Sequence, residues 1–280
     1  SENISVASIS SISLEKQNKI IEKYFKQIKN KKSKKFVIKQ PFYHSKNDSY
    51  HILSISKMKT LIFLWEIPTF HHDLEYKSWS IIKNYINDNG LKSLESFLKS
   101  KELIEDLYIF PRNEGQFLLM IDLLKNNLKT RQTVTNYVNY FIKNLLNKDF
   151  DKISKYFQKN IKLLYHNGSR KDPLKKIQDL AINCHYSKKI ENIAAEQLIT
   201  KIDSDRIKKL LSKYLNTNYI QIYVSNKKEN IKYKKEKYYG TNYGVINHLD
   251  LNEKQIETFF NFDNPYQNIS PKNIKISKNL

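Results

Sequence analysis

The chain has 280 residues, 33.4 kDa, with 40% hydrophobic and 12% aromatic residues, which suits one large or two small globular domains and excludes a disordered chain. The formal charge is +21, yet of 49 basic residues only Arg112, Arg131, Arg170 and Arg206 are arginine. The bidentate fork that reads phosphate and base edges is nearly missing, so lysine solvation outweighs a nucleic-acid site as the reason for the charge.

The N-terminal SENISVASISSIS has no basic start and no continuous apolar core, so it does not read as a secretory leader. Leu14–Lys29 predicts a helix with Ile20, Ile21, Tyr24, Phe25 and Ile28 on one face and a lysine-rich linker after it. Strands are expected at 35–39, 50–56 and 60–65. A second helix is expected from about Asp73 to Ile86, ended by Asn89-Gly90 in a left-handed turn, with Tyr76, Trp79, Ile82 and Ile86 inward. Leu91–Lys101 predicts a third helix. Two antiparallel strands, 107–110 and 116–124, are joined by PRNEG. A long helix at 130–146 then displays Val134, Val138, Phe141, Ile142 and Leu145.

The rest reads as mostly helical: 150–165; a helix started by Asp172-Pro173 with Ile177, Leu180, Ala181 and Cys184 toward the core; then 187–201 and 203–215. In the strand 219–225, Ile220, Ile222 and Val224 alternate with polar neighbours. A charged insert, 226–237, leads to KYYGTNYGV, which holds two of the chain's five glycines, Gly240 and Gly244. A short helix near 252–260 and a proline-containing tail close the chain. Hairpins rather than parallel crossovers imply an α+β fold in two layers, a mainly antiparallel sheet with helices on one face. No apolar run approaches the ~20 residues of a bilayer span, so no membrane partner is expected. The lone Cys184 cannot form an internal disulfide and fits a reducing, intracellular and cytoplasmic setting.

Catalytic chemistry is hard to find. The densest ligand-like cluster is His71-His72-Asp73-Leu74-Glu75-Tyr76, but a zinc helix of the inverted kind needs a second histidine where Tyr76 stands. The preferred reading is a solvated first helical turn with Asp73 and Glu75 against the helix dipole. The remaining histidines have no ligand spacing, and no phosphate loop, nucleophile elbow or paired cysteines occur. No catalytic and no metal-binding residue is therefore assigned. Lysine interleaved with tyrosine in KYKKEKYYGTNY could stack single-stranded bases; tyrosines anchoring a strand beside wet lysines is the preferred alternative.

Taken in order, several phrases resemble one family. They are Phe25, Ile28 and Asn30 ending the first helix; LIFLWEIPTF at 61–70; and Gly90, Ser93, Leu94, Leu98, Lys99 and Lys101. Asp122-Leu123 ends a strand before the long helix, then come Tyr238-Tyr239-Gly240-Thr241-Asn242-Tyr243 and the closing NPYQNISPKNIKI. Their collinear order resembles the second, non-catalytic domain of insulinase-type zinc metallopeptidases, the insulysin and pitrilysin group. The resemblance implies a division into 1–33, the last helix of a preceding catalytic domain, 34–262, the non-catalytic α+β domain, and 263–280, an exit linker. It implies no cofactor in this chain and zinc in the parent's catalytic domain. The implied partners are peptide substrate and the parent's other domains.

By position, Leu107, Tyr108, Ile109 and Phe110 match an edge strand that anchors peptide by β-augmentation in some members. The family often has a glycine pair where Ile109 and Phe110 stand, so a plain edge strand remains the alternative. Gly90, Tyr239, Gly240 and Tyr243 take structural roles: a tight turn at glycine, with the aromatics packed on the body of the domain. The leading expectation is a wall of a peptide-binding chamber that orients substrate. The alternative is a lysine-rich single-stranded nucleic-acid-binding domain.

Overall fold

A computed structural model of the chain describes residues 4–29, 48–68, 73, 75–88, 90, 93–112, 115–167, 172–186, 198–199 and 201–249. In chain order the elements are α1 (Leu14–Phe25), β1 (Ser49–Leu53), β2 (Lys59–Glu66), α2 (Ser78–Ile86), α3 (Leu94–Ser100), β3 (Ile104–Arg112) and β4 (Gln116–Leu123). They continue with α4 (Leu128–Leu145), α5 (Phe150–Asn167), α6 (Pro173–Tyr186), α7 (Ser204–Tyr214), β5 (Ile220–Ser225), β6 (Lys234–Lys235) and β7 (Asn242–Val245). The strand expected at 35–39 and the short helix near 252–260 lie outside the described residues, as does most of 187–201. Two units divide the described residues, one drawn from 1–41, 71–76 and 157–201, the other from 42–70, 77–156 and 202–280.

The second unit is built on a seven-stranded sheet in the order β3-β4-β2-β5-β1-β7-β6. Its strand pairs are antiparallel apart from β1 with β5, so the fold is α+β on a mainly antiparallel sheet. Period-2 side-chain alternation gives the sheet two unlike faces. Leu61, Phe63, Trp65, Phe117, Leu119 and Ile121 are almost fully buried on one face. There the Trp79 ring of α2 meets Phe117 at 5.7 Å, and Thr135 of α4 accepts from Gln221 Nε2 at 3.0 Å. The other face carries a smaller cluster of Leu64, Leu118 and Ile220, with Tyr50, Ile62 and Ile222 packed against it.

Caps set the helix starts. Asn127 Oδ1 accepts from Thr130 N at 2.8 Å, Asp203 Oδ1 from Arg206 N at 2.8 Å, and Ser93 Oγ from Ser96 N at 3.0 Å. Each satisfies a helix-start N–H that has no partner inside the helix. The expected inward stripe of α4, Val134, Val138, Phe141, Ile142 and Leu145, is buried throughout.

Other expectations need correction. The second helix starts at Ser78 rather than Asp73, because Lys77 adopts φ 49° and breaks the helical path. Asp73 is buried, not a solvated helix residue. That helix ends at Ile86 as expected, with Asn87 N–H bonded to Lys83 O at 2.8 Å. The glycines with positive φ among the described residues are Gly115 and Gly240. Gly90 instead offers its carbonyl to Ser93 N and Ser96 Oγ, both at 2.9 Å, at the entry of α3.

In the first unit, Asp172 Oδ1 accepts from Leu174 N at 3.0 Å and starts α6, as expected. Cys184, however, is exposed, and the neighbouring Asn183 is the buried residue. Ile177, Leu180 and Ala181 of the expected stripe are half-buried, so only Cys184 departs from it. α1 buries none of its residues, leaving Ile20, Tyr24 and Phe25 exposed.

Candidate functional site

Strand β3 is the edge of the sheet, paired with β4 alone among the described residues. Its alternation divides the expected site residues. Leu107 and Ile109 are 3% and 4% exposed on the helix-covered face, whereas Tyr108 and Phe110 are 41% and 46% exposed on the other. The two exposed rings stack with centroids 6.2 Å apart. Register places Phe110, Leu118, Leu64 and Ile220 in one row across four strands, so the edge aromatic continues an apolar row.

The electrostatics beside this edge are paired. Lys99 Nζ bridges Glu95 Oε1 at 2.6 Å and Asp106 Oδ1 at 2.8 Å, which raises the lysine's pKa. Asp106 is lowered, first by the Lys99 hydrogen bond and then by that of Tyr108 O–H, which it accepts at 3.2 Å. Lys59 Nζ meets Glu105 Oε1 at 3.1 Å. These exposed pairs orient side chains more than they stabilise the fold.

The opposite edge is the β6–β7 hairpin, home of KYYGTNYGV. Glu236 accepts from Tyr238 N at 2.8 Å and Tyr239 N at 2.6 Å, and those backbone bonds hold its carboxyl below the usual range. Gly240 turns with φ +69°, a conformation that L side chains rarely adopt. Gly244 answers to a different need: a Cβ there would lie 2.8 Å from Lys232 O and from the Ile231 side chain. Tyr243 pairs with Ile52 in β7 and is partly buried. Tyr239 is 92% exposed, as is Tyr238 at 83%, so neither packs on the body of this chain as expected. The tight loop aims both rings outward.

A buried polar cluster went unseen in the sequence. Gln221, Tyr223 and Ser225 of β5, with His51 of β1, are fully buried on the helix-covered face; the apolar Ile220, Ile222 and Val224 face the other way. Arg131 of α4 stacks its guanidinium 4.2 Å from the Tyr223 ring centre and binds Glu229 Oε1 through Nη2 at 2.9 Å. Tyr223 O–H donates to Asn126 Oδ1. His51 Nδ1 lies 2.7 Å from Tyr233 Oη and Nε2 lies 3.0 Å from Ser225 Oγ. Burial lowers the His51 pKa, Glu229 opposes that and Arg131 adds to it. The available signal was Arg131, a rare arginine set among the apolar positions of α4.

Of the ligand-like cluster, His71, His72 and Leu74 lie outside the described residues. Glu75 Oε2 binds Lys201 Nζ at 2.5 Å, and Lys201 also sits over the Tyr76 ring. No group of three His, Cys, Asp or Glu that could hold a metal ion occurs among the described residues, so they offer zinc no ligand set. No described helix is long and apolar enough to cross a membrane.

Two family models match the chain. One, described as the peptidase M16 inactive domain, covers residues 1–157, and the other, the middle or third domain of peptidase M16, covers 165–280. Among solved structures, pitrilysin superposes with a TM-score of 0.74 at 18% identity, over 86% of this chain and 26% of that one. The first half of the periplasmic protease PqqL from Escherichia coli gives 0.55 at 11% identity, over 77% and 50% of the two chains. A protease from Helicobacter pylori gives 0.52 at 14% identity, over 76% and 53%. The chain therefore spans about a quarter of pitrilysin's length, and the shared feature is the fold. No curated protein matches the sequence.

Proposed function

The chain belongs to the insulinase-type M16 peptidase family, matching its inactive domain, and from that premise we propose that it forms a wall of a peptide-binding chamber and orients peptide substrate through strand β3. The observation that carries this reading is the edge of β3, unpaired on its outer side among the described residues, where Tyr108 and Phe110 stand exposed side by side. An extended peptide laid along that edge satisfies backbone N–H and C=O groups as an added strand does. Its alternate side chains join the row begun by Phe110 and Leu118.

The other sheet edge supports the assignment by contrast. β6 is two residues long, both lysines, the composition that blunts an edge against pairing. Zinc and the hydrolytic groups belong, on this reading, to a catalytic domain of the parent. Residues 1–33 serve as that domain's last helix, 34–262 as the non-catalytic domain and 263–280 as an exit linker. The bare apolar face of α1 supports the first of these, since an amphipathic helix calls for a covering partner.

The test is binding of an alternating valine–glutamine peptide, followed by backbone amide shifts of the labelled chain. Shifts concentrated on 104–110, with affinity reduced about tenfold by Phe110→Lys, are the expected outcome. Shifts elsewhere, or indifference to Phe110→Lys, would remove the edge-strand role. The exposed Tyr238 and Tyr239 favour a second reading, single-strand nucleic-acid stacking. Tight oligothymidine binding with a steep salt slope, lost in Tyr238→Ser/Tyr239→Ser, would support that reading instead.

A further inference from the structure

The bonds around His51 have a fixed direction. Ser225 Oγ donates to Lys227 O at 3.1 Å, so it accepts from His51 Nε2–H. Nδ1 is then the bare acceptor, and Tyr233 O–H donates to it. The Tyr233 oxygen in turn accepts Glu229 N–H at 2.9 Å. A neutral imidazole, one donor and one acceptor, completes this chain with no group left over. Its ends are two backbone points, Lys227 and Glu229, in the lysine-rich segment between β5 and β6.

We propose that His51 is an acid-sensitive latch, holding residues 226–235 on the sheet while its imidazole is neutral and releasing them when it is protonated. Protonation turns Nδ1 into a second donor, aimed at a phenol oxygen that already receives an N–H and whose own hydrogen has lost its acceptor. The ring is fully buried, so the new charge cannot be hydrated without opening.

The surroundings compensate it only in part, because burial outweighs the nearby Glu229 carboxylate. From α4 comes Arg131, itself cationic; from the segment comes Glu229, whose carboxylate is engaged with that arginine. From β5 comes the Tyr223 ring at 5.4 Å, and from the segment the Tyr233 ring at 5.7 Å. β7 presents the backbone of Gly244 opposite His51. Along β1, Ser49 Oγ is 2.8 Å from His248 Nδ1. Besides this chain of bonds, the Arg131–Glu229 pair and the approach of Ile231 and Lys232 to Gly244 hold the segment, while β6 pairs with β7 over two residues. Release would change how the rings of Tyr238 and Tyr239 are presented, since both ride on the same hairpin.

Amide hydrogen exchange of the full chain, corrected for intrinsic rates, tests the latch. Between pH 7.5 and 5.0, opening of the 229–235 amides should increase, by at most about tenfold per pH unit below the ordinary histidine pKa of about 6.5. His51→Gln keeps a donor and an acceptor without titrating, and should abolish the increase. Tyr233→Phe removes the hydroxyl and should open the segment at both pH values. A wild-type chain without the increase, or an equal increase in His51→Gln or Tyr233→Phe, would overturn the proposal.

Discussion

The guanidinium of Arg131 stacks 4.2 Å from the centre of the Tyr223 ring while its Nη2 reaches Glu229 Oε1 at 2.9 Å. One side chain therefore joins α4, the centre of the sheet and the segment after β5. Its Nε has no hydrogen-bond partner among the described residues.

Arg131→Lys should destabilise the chain by about 2 kcal/mol, because an ammonium keeps the charge and loses the flat stacking surface. Glu229→Gln should cost less than about 1 kcal/mol, since Glu229 retains 32% side-chain exposure and water screens the pair. Urea denaturation midpoints decide the order. A larger loss for Glu229→Gln would mean that charge, not stacking, dominates.

Gly244→Ala should cost more than Gly240→Ala. At Gly244 the new methyl meets the Lys232 backbone oxygen at 2.8 Å, and overpacking of this kind costs about 1–3 kcal/mol. At Gly240 the contact is the flexible Lys235 side chain at 3.1 Å, and the cost is the left-handed backbone, about 1–2 kcal/mol. Asn at 240 should recover part of that loss, whereas Asn at 244 should recover nothing; thermal melting distinguishes them.

Stability should fall in mild acid through His51. Its folded pKa lies below the unfolded value of about 6.5. The unfolded chain then binds more protons in the window between the two values. Stability is complete above about pH 6.5 and declines as pH drops toward the folded pKa, by at most about 1.4 kcal/mol per pH unit. His51→Gln should flatten the wild-type curve over this window; a parallel curve would assign the acid sensitivity elsewhere.

Core and edge aromatics should separate stability from binding. Trp79 is 1% exposed and packs on Phe117, so Trp79→Ala should cost about 3–5 kcal/mol. Tyr108→Ser with Phe110→Ser should leave stability within about 1 kcal/mol, as both residues lie at the exposed sheet edge, yet weaken peptide binding. Loss of folding in the double variant would make the pair structural.

Much of the secondary structure was legible because its signals are local. The stripe at Val134, Val138, Phe141, Ile142 and Leu145, the Asp172-Pro173 start and the antiparallel pairing of β3 with β4 each act within a few residues or between chain neighbours, and each forms as expected. The start at Asp73 failed because one backbone angle at Lys77 overrides the apolar spacing. Cys184 failed because periodicity says which residues share a stripe, not which stripe finds a partner.

The sequence by itself determined the order of elements, the mainly antiparallel class and the run of phrases that marks the family, all of which follow from short-range spacing and chain direction. Tertiary structure alone decided which face of β5 is covered, that β3 ends the sheet among the described residues with two partly exposed rings, and that His51 meets Tyr233 across 182 residues. The reason is that a polar residue reads as solvated until its partner is known, and these partners come from strands and helices far away along the chain.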